Sequence, residues 1–216
     1  MPSTFLHITR EGWPWVLGWL LLSLLVYQNL GVEMSVPFWL MVLVTVAYFW
    51  ESNRNIPPRP MGVVAPVDGR VTDVESLQDE LLGRPASRIS IRISPFASYM
   101  LRAATEGQVT ELSADARASL NGRTATWLHT DEGQDVLMVV ESGSLLGARP
   151  CRYAYGERVG QGRRCGVRRL ARRIDVYVPQ NSRVDVSKGD RVRGGETVIA
   201  TLARVAQKAQ DTENTA

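Results

Sequence analysis

Residues 63 to 74 read VVAPVDGRVTDV, and the fold turns on this stretch. Val63, Val64, Val67, Val71 and Val74 place β-branched residues on both sides of Asp68-Gly69, a turn pair, and the Pro66, Asp68 and Gly69 among them punctuate the stretch. The pattern predicts extended chain, a turn, and extended chain again. Segments of the same kind follow: RISIRISPF (88–96), GQVTELS (107–113), DVLMVVESG (135–143), RRIDVYVP (172–179) and SRVDVSKGDRVRGGETVIATL (182–202). Short apolar alternations separated by Gly, Asp and Pro predict a mainly-β domain over 63–203, a sandwich or half-barrel, without long helices.

Upstream the character of the chain changes. From Gly12 to Val32 there is no charged residue, and past Glu33 there is none from Met34 to Trp50. Each segment is close to the ~20 apolar residues that cross a bilayer core. Trp13, Trp15, Trp19 and Tyr27 line the first, and Trp39, Tyr48 and Trp50 the second, where aromatic rings suit the interface. The run VLGWLLLSLLVY is apolar all round, so residues 12–50 are expected to form an N-terminal two-helix transmembrane hairpin. No small-residue cleavage site follows the first segment, which speaks against a removed signal peptide. The connecting QNLGVEMSVP lacks Lys and Arg, whereas Arg10 precedes the hairpin and Arg54 and Arg59 follow it. That asymmetry predicts an inner-membrane protein with both termini and the β domain cytoplasmic. Residues 1–11 form the lead, 51–62 a linker, and the polar 204–216 a disordered tail.

Charge excludes little. Lys and Arg total 25 against 22 acids in 216 residues, giving +3, and only Lys188 and Lys208 are lysines. No nucleic-acid motif accompanies the arginines, so no nucleic-acid partner is expected. Cys151 and Cys165 are too far apart for a redox or zinc pair and have no nearby partner for a metal set. Two reduced, buried thiols in a cytosolic domain are expected, with no metal. Turns at Lys188-Gly189-Asp190 and Gly194-Gly195 resemble the hairpins of biotinyl or lipoyl half-barrels. Lys188 lacks the flanking Met or apolar residues of a carrier lysine, which favours an ordinary surface turn.

The order of short motifs resembles that of the short, membrane-anchored phosphatidylserine decarboxylases. HITREGWP (7–14), FWESNRNIP (49–57), APVDG (65–69), ISPFASYMLR (93–102), NGR (121–123) and GRRCGVRRLARRIDVYVP (162–179) occur in the family's order. The resemblance implies a role in phosphatidylethanolamine metabolism. It also implies a prosthetic group made from the chain: a serine, activated by an Asp-His pair, cleaves the Gly-Ser bond before it and becomes a pyruvoyl group that serves as electron sink.

Laid on that pattern, Asp68 is the retained Asp of the Asp-Gly turn, Tyr99 stands for the base His, and Ala171-Arg172 stands for the Gly-Ser pair. A guanidinium stays protonated and cannot become a pyruvoyl group. A phenol that ionises near about pH 10 is a poor base at neutrality. Gly143-Ser144 precedes the matching stretch by more than twenty residues, Cys165 is out of register, and His129, the one histidine of the β domain, reads as an ordinary strand-end side chain, so none is expected to rescue the site. The resemblance therefore implies a non-catalytic member, with no pyruvoyl cofactor. An active decarboxylase with a divergent site is the alternative, and a half-barrel carrier or adaptor a remote third. Arg168, Arg169, Arg172 and Arg173 are candidate contacts for anionic lipid. The expected partners are membrane phospholipid and an active decarboxylase or other lipid-synthesis protein.

Overall fold

A computed structural model describes residues 9, 11–51, 54–79, 81–95, 97–121, 123–141 and 151–203. The tail predicted at 204–216 and most of the N-terminal lead lie outside these residues. The chain divides into two compact units, residues 1–54 with 95–100, and residues 55–94 with 101–216.

The first unit is a helical hairpin. Helix α1 spans Trp13–Leu30 and α2 spans Val32–Phe49. Pro14 stands in the first turn of α1, where its missing N–H costs nothing. Gly31 turns the chain between the helices at φ +84°, a left-handed value that suits glycine, and its N–H donates to the Tyr27 carbonyl. The helices pack together, with Val16, Ser23 and Val26 of α1 and Ser35, Val42 and Phe49 of α2 buried. Ser23 and Ser35 are almost fully enclosed, and each returns its hydroxyl to a carbonyl one turn back, on Leu20 and Val32. Large apolar residues such as Leu21, Leu25, Leu40 and Leu43 point outward.

Of the two helices, only α2 is long and apolar enough to cross a membrane by length and composition. In α1 the three tryptophans, Pro14, Gln28 and Asn29 dilute the aliphatic run. The predicted pair of helices is present, but just one of them passes on apolarity.

The second unit is mainly antiparallel β-sheet. Its strands are β1 (Gly62–Val64), β2 (Gly69–Asp79), β3 (Arg84–Ile93), β4 (Met100–Arg102), β5 (Gly107–Thr110), β6 (Thr124–His129), β7 (Asp135–Glu141), β8 (Arg158–Val159), β9 (Arg164–Val167), β10 (Arg173–Pro179), β11 (Arg183–Val184), β12 (Arg191–Val192) and β13 (Val198–Thr201). A large sheet has the order β12-β2-β3-β10-β7-β6-β5-β8, a smaller one β1-β13-β11, and β4 pairs with β9. All neighbours in the large sheet run antiparallel. At its centre, Val136–Val140 and Ile174–Pro179 are buried along their whole length, so these strands read as continuous apolar runs, whereas β2 keeps an exposed side.

A short helix, α3 (Ala114–Ala118), capped by Ser113, interrupts the β pattern where the sequence suggested none. The closing segment has its turns where expected, with Gly189 and Gly195 at φ +99° and +78°. Its strands nevertheless part company: β12 joins β2 in the large sheet and β13 joins β1 and β11 in the small one. Lys188 is therefore not the tip of a paired hairpin.

The cysteine expectation is overturned. Cys151 and Cys165 form a disulfide, and the Arg152 N–H donates to the Cys165 carbonyl at 2.7 Å. Their separation of fourteen residues excluded a compact redox motif, but the return of the chain through β9 brings them together.

Gly69 explains the Asp-Gly pair at the head of β2. A Cβ there would fall well inside contact distance of the Arg92 carbonyl oxygen and the Ile91 side chain. Gly69→Ala is expected to cost about 1–3 kcal/mol through overpacking at the β2–β3 pairing, read as a lower urea midpoint for the purified chain; an unchanged midpoint would contradict this packing.

Candidate functional site

Asp68 precedes β2 and is anchored from two sides. Its carbonyl accepts the Ser94 N–H at 3.0 Å, and its Oδ1 accepts the Gly194 N–H at 2.8 Å. Gly194 packs closely on the Val67 backbone, where a Cβ would sit only 3.0 Å from the Val67 Cα, and the Gly195 N–H donates to the Ala65 carbonyl. The Asp68 carboxylate thus pins the 193–195 turn against residues 65–68.

Ala171 and Arg172 lie at the same end of the large sheet. The chain leaves β9, turns with Arg169 at φ +46°, and closes the turn with the Ala171 N–H on the Arg168 carbonyl at 2.9 Å. A left-handed conformation is uncommon for a residue with a side chain and marks a turn held by its surroundings. The Arg172 carbonyl then accepts the Ile93 N–H at 2.9 Å, extending the β3–β10 ladder beyond the Arg173–Arg92 pair. Since Gly69 pairs with Ile93, Asp68 and Arg172 are about two strand spacings apart, roughly 10 Å. Ala171 is buried. The Arg172 side chain is exposed and has no hydrogen-bond or ionic partner among the described residues.

The four arginines singled out in the sequence do not form one uniform patch. Arg168 is buried. Arg173 donates through Nε to Asp175 at 2.8 Å and through Nη2 to the Ser90 hydroxyl at 2.9 Å. Burial works against its charge, but the hydrogen bond and charge of Asp175, with the charge of Glu141, outweigh it and leave the guanidinium pKa raised. Burial followed by the same Asp175 charge pushes the Tyr177 phenol up. Arg169 is half-buried in the turn, and Arg172 is left facing solvent beside Leu170, which is 58% exposed.

Tyr99 belongs to the helical unit. Its ring is buried against Phe49 and Tyr48, with centroids 4.8 and 5.7 Å away, and its hydroxyl donates to Glu11 Oε2 at 2.9 Å. The neighbouring Ser98 hydroxyl donates to the buried Glu51. A tyrosine donating to a carboxylate is a structural donor here, not a proton acceptor. Glu11 and Glu51 were not singled out in the sequence, because nothing local links them to residues 98–99.

The alternative groups fare no better. His129 Nδ1 lies 2.6 Å from Asp135 Oδ1, an atom that also accepts from Trp127, while Arg84 takes Oδ2. The imidazole is one member of a cross-strand polar cluster. Cys165 is buried in the disulfide, and Gly143-Ser144 lies outside the described residues. Among the described residues no group of three or more His, Cys, Asp and Glu could hold a metal ion. A pyruvoyl group does not fit position 172 either, since its carbons must come from the residue that stands there and that residue is a solvent-facing arginine.

Comparison with known proteins identifies the class. The phosphatidylserine decarboxylase family model matches residues 43–200. The chain is 36% identical over 203 residues to the phosphatidylserine decarboxylase proenzyme of Nitrosomonas europaea, covering 89% of this chain and 94% of that protein. It is 35% identical over 209 residues to the proenzyme of Cupriavidus pinatubonensis, covering 92% and 96%, and 33% identical over 205 residues to that of Burkholderia ambifaria, covering 90% and 96%. The chain belongs to the phosphatidylserine decarboxylase family.

The tether to Gly194 predicts a structural role for Asp68. Asp68→Ala is expected to lower unfolding stability by about 1–3 kcal/mol, the cost of an unsatisfied donor, and Asp68→Asn, which keeps an acceptor oxygen, to recover most of it. Equal losses in chemical unfolding would show that the Gly194 bond is not what matters.

Proposed function

We propose that this chain is a non-catalytic member of its family, a membrane protein of phospholipid metabolism that keeps the scaffold but not the self-processing centre. One observation carries the reading: Arg172, at the position corresponding to the reactive serine, can neither attack the preceding carbonyl nor supply the atoms of a pyruvoyl group. Tyr99 supports it, since the residue at the base position donates its proton to Glu11. Without the chemistry, the function is binding. Arg172, which has no ionic partner among the described residues, stands two residues from exposed Leu170, a combination suited to an anionic phospholipid surface, where each basic residue contributes about 1 kcal/mol. An active decarboxylase or another lipid-synthesis protein is the partner class for such a member.

The competing reading is an active decarboxylase with a divergent site, favoured by the proenzyme names of relatives at 33–36% identity. Denaturing electrophoresis and intact mass of the purified protein separate the two. One unprocessed chain, with phosphatidylserine unchanged in a detergent assay, is expected. Two chains, the smaller with a blocked pyruvoyl end, would overturn the proposal.

In the same reading both α1 and α2 span the inner membrane, with the β unit on the cytoplasmic side. The outward-facing Leu21, Leu25, Leu40 and Leu43 support a hydrocarbon environment, and the flanking Arg10, Arg54 and Arg59 support the orientation. The disulfide bears on that placement, because a cytoplasmic thiol pool keeps such bonds open. In acid-quenched, alkylated cells both cysteines are expected to take the reagent, and the bond to form on air oxidation after lysis. A bond already complete in quenched cells would put the β unit on the other side.

A further inference from the structure

A cavity of about 520 Å³ opens beside α3, β5 and β6, bounded also by the segment that carries Cys151 to Tyr155. Val109, Leu112 and Leu120 line it with buried aliphatic surface, and Tyr153 and Tyr155 add aromatic surface. Its volume falls within the roughly 300–1,000 Å³ of small-molecule sites. None of its lining residues is among the positions compared above with the family's reactive centre.

Two features say what would occupy it. Among the described residues of the β unit, large apolar side chains are more than half exposed at only two places, Leu170 and Tyr155, and Tyr155 borders this cavity. The second feature is charge. Arg117 and Arg123 both line the cavity, but Arg117 is taken by Glu111 at 2.6 Å. Arg123 bonds only backbone carbonyls, those of Leu120 at 3.1 Å and Ser119 at 3.5 Å, and has no carboxylate partner among the described residues. An apolar chamber with one uncompensated guanidinium is complementary to a hydrocarbon chain ending in an anion. The Arg152 N–H donates to the Cys165 carbonyl at 2.7 Å and holds one boundary of the chamber to β9 whether the two cysteines are bonded or reduced.

We propose that this cavity binds a single-chain anionic amphiphile, a fatty acid or a lysophospholipid, with its chain among Val109, Leu112 and Leu120 and its carboxylate or phosphate on Arg123. The site stands whether or not the chain cleaves itself.

The test uses the full chain in nanodiscs of neutral phosphatidylcholine, with a fluorescent fatty acid displaced by oleate, oleoyl lysophosphatidic acid or neutral monoolein. One probe per chain is expected. Arg123→Gln should weaken oleate and lysophosphatidic acid about tenfold, as loss of a hydrogen bond to a charged group does, and leave monoolein unchanged. Ala154→Trp, which fills the cavity from an exposed position, should abolish binding of all three. The preferred competitor tells a free fatty acid from a phosphate-bearing lipid. Binding that survives Ala154→Trp, or an equal loss of monoolein in Arg123→Gln, overturns the proposal, as does a dimer that Ala154→Trp disperses, which would assign the cavity to a second copy. If Ala154→Trp does not fold, photolabelling of the unaltered chain by a diazirine fatty acid decides. Labels within 109–126 or 151–155 support the site, and labels confined elsewhere refute it.

Discussion

Strand β10 is the constraint on which the β unit depends. From Arg173 to Tyr177 it is paired on one side with β3 and on the other with β7, and Ile174, Val176 and Val178 are almost wholly removed from water. Each apolar side chain buried here contributes on the order of 1.5–3 kcal/mol, so the strand is held by packing irrespective of what lies at its start. The peptide that joins Ala171 to Arg172 is carried to one end of the sheet by this ladder. A chain can therefore keep the family's last strand intact while the residues just before it lose their chemistry. Retention of IDVYVP is a property of the core and says nothing about catalysis.

Legibility of the fold in the sequence follows the range of the interactions. Strands β2 and β3 show their alternation because one face remains partly exposed, and β7 and β10 show continuous apolar runs because both faces are covered. Helix α3 was not legible: five residues with a single buried alanine carry no periodic signal. Nor could the closing segment reveal that its strands join different sheets, since the pairings of Arg191 with Arg70 and of Thr201 with Gly62 lie far apart in sequence. The disulfide and the Glu11–Tyr99 bond fail for the same reason. At the candidate site, the sequence identified the positions through their neighbours but could not say which arginines face solvent; burial of Arg168 and the Arg173–Asp175 pair are decided by tertiary packing.

Tyr99 and Arg172 are accommodated by ordinary physical means. At position 99 the phenol sits in an aromatic setting, its ring tilted against Phe49 and edge-on to Tyr48, with its hydroxyl donating to a carboxylate. At position 172 a guanidinium is tolerated because its backbone carbonyl is held in the ladder while its side chain extends into solvent, where hydration carries the charge at no desolvation cost. Among the described residues, neither Tyr99 nor Arg172 has a buried side-chain polar atom without a partner.

That accommodation separates the two roles of Asp68. In a self-cleaving chain an Asp at this position would orient a base, and loss of the base would remove that reason for keeping it. Here the carboxylate receives the Gly194 amide, and the turn it holds lies so near the Val67 backbone that a Cβ at Gly194 would come within 3.0 Å of it. The tether to Gly194 is thus a mechanical demand on Asp68 that holds with or without catalysis. Asp68 tied to Gly194, Tyr99 buried with its hydroxyl on Glu11, and Arg172 in solvent are each an arrangement that fold stability alone can hold.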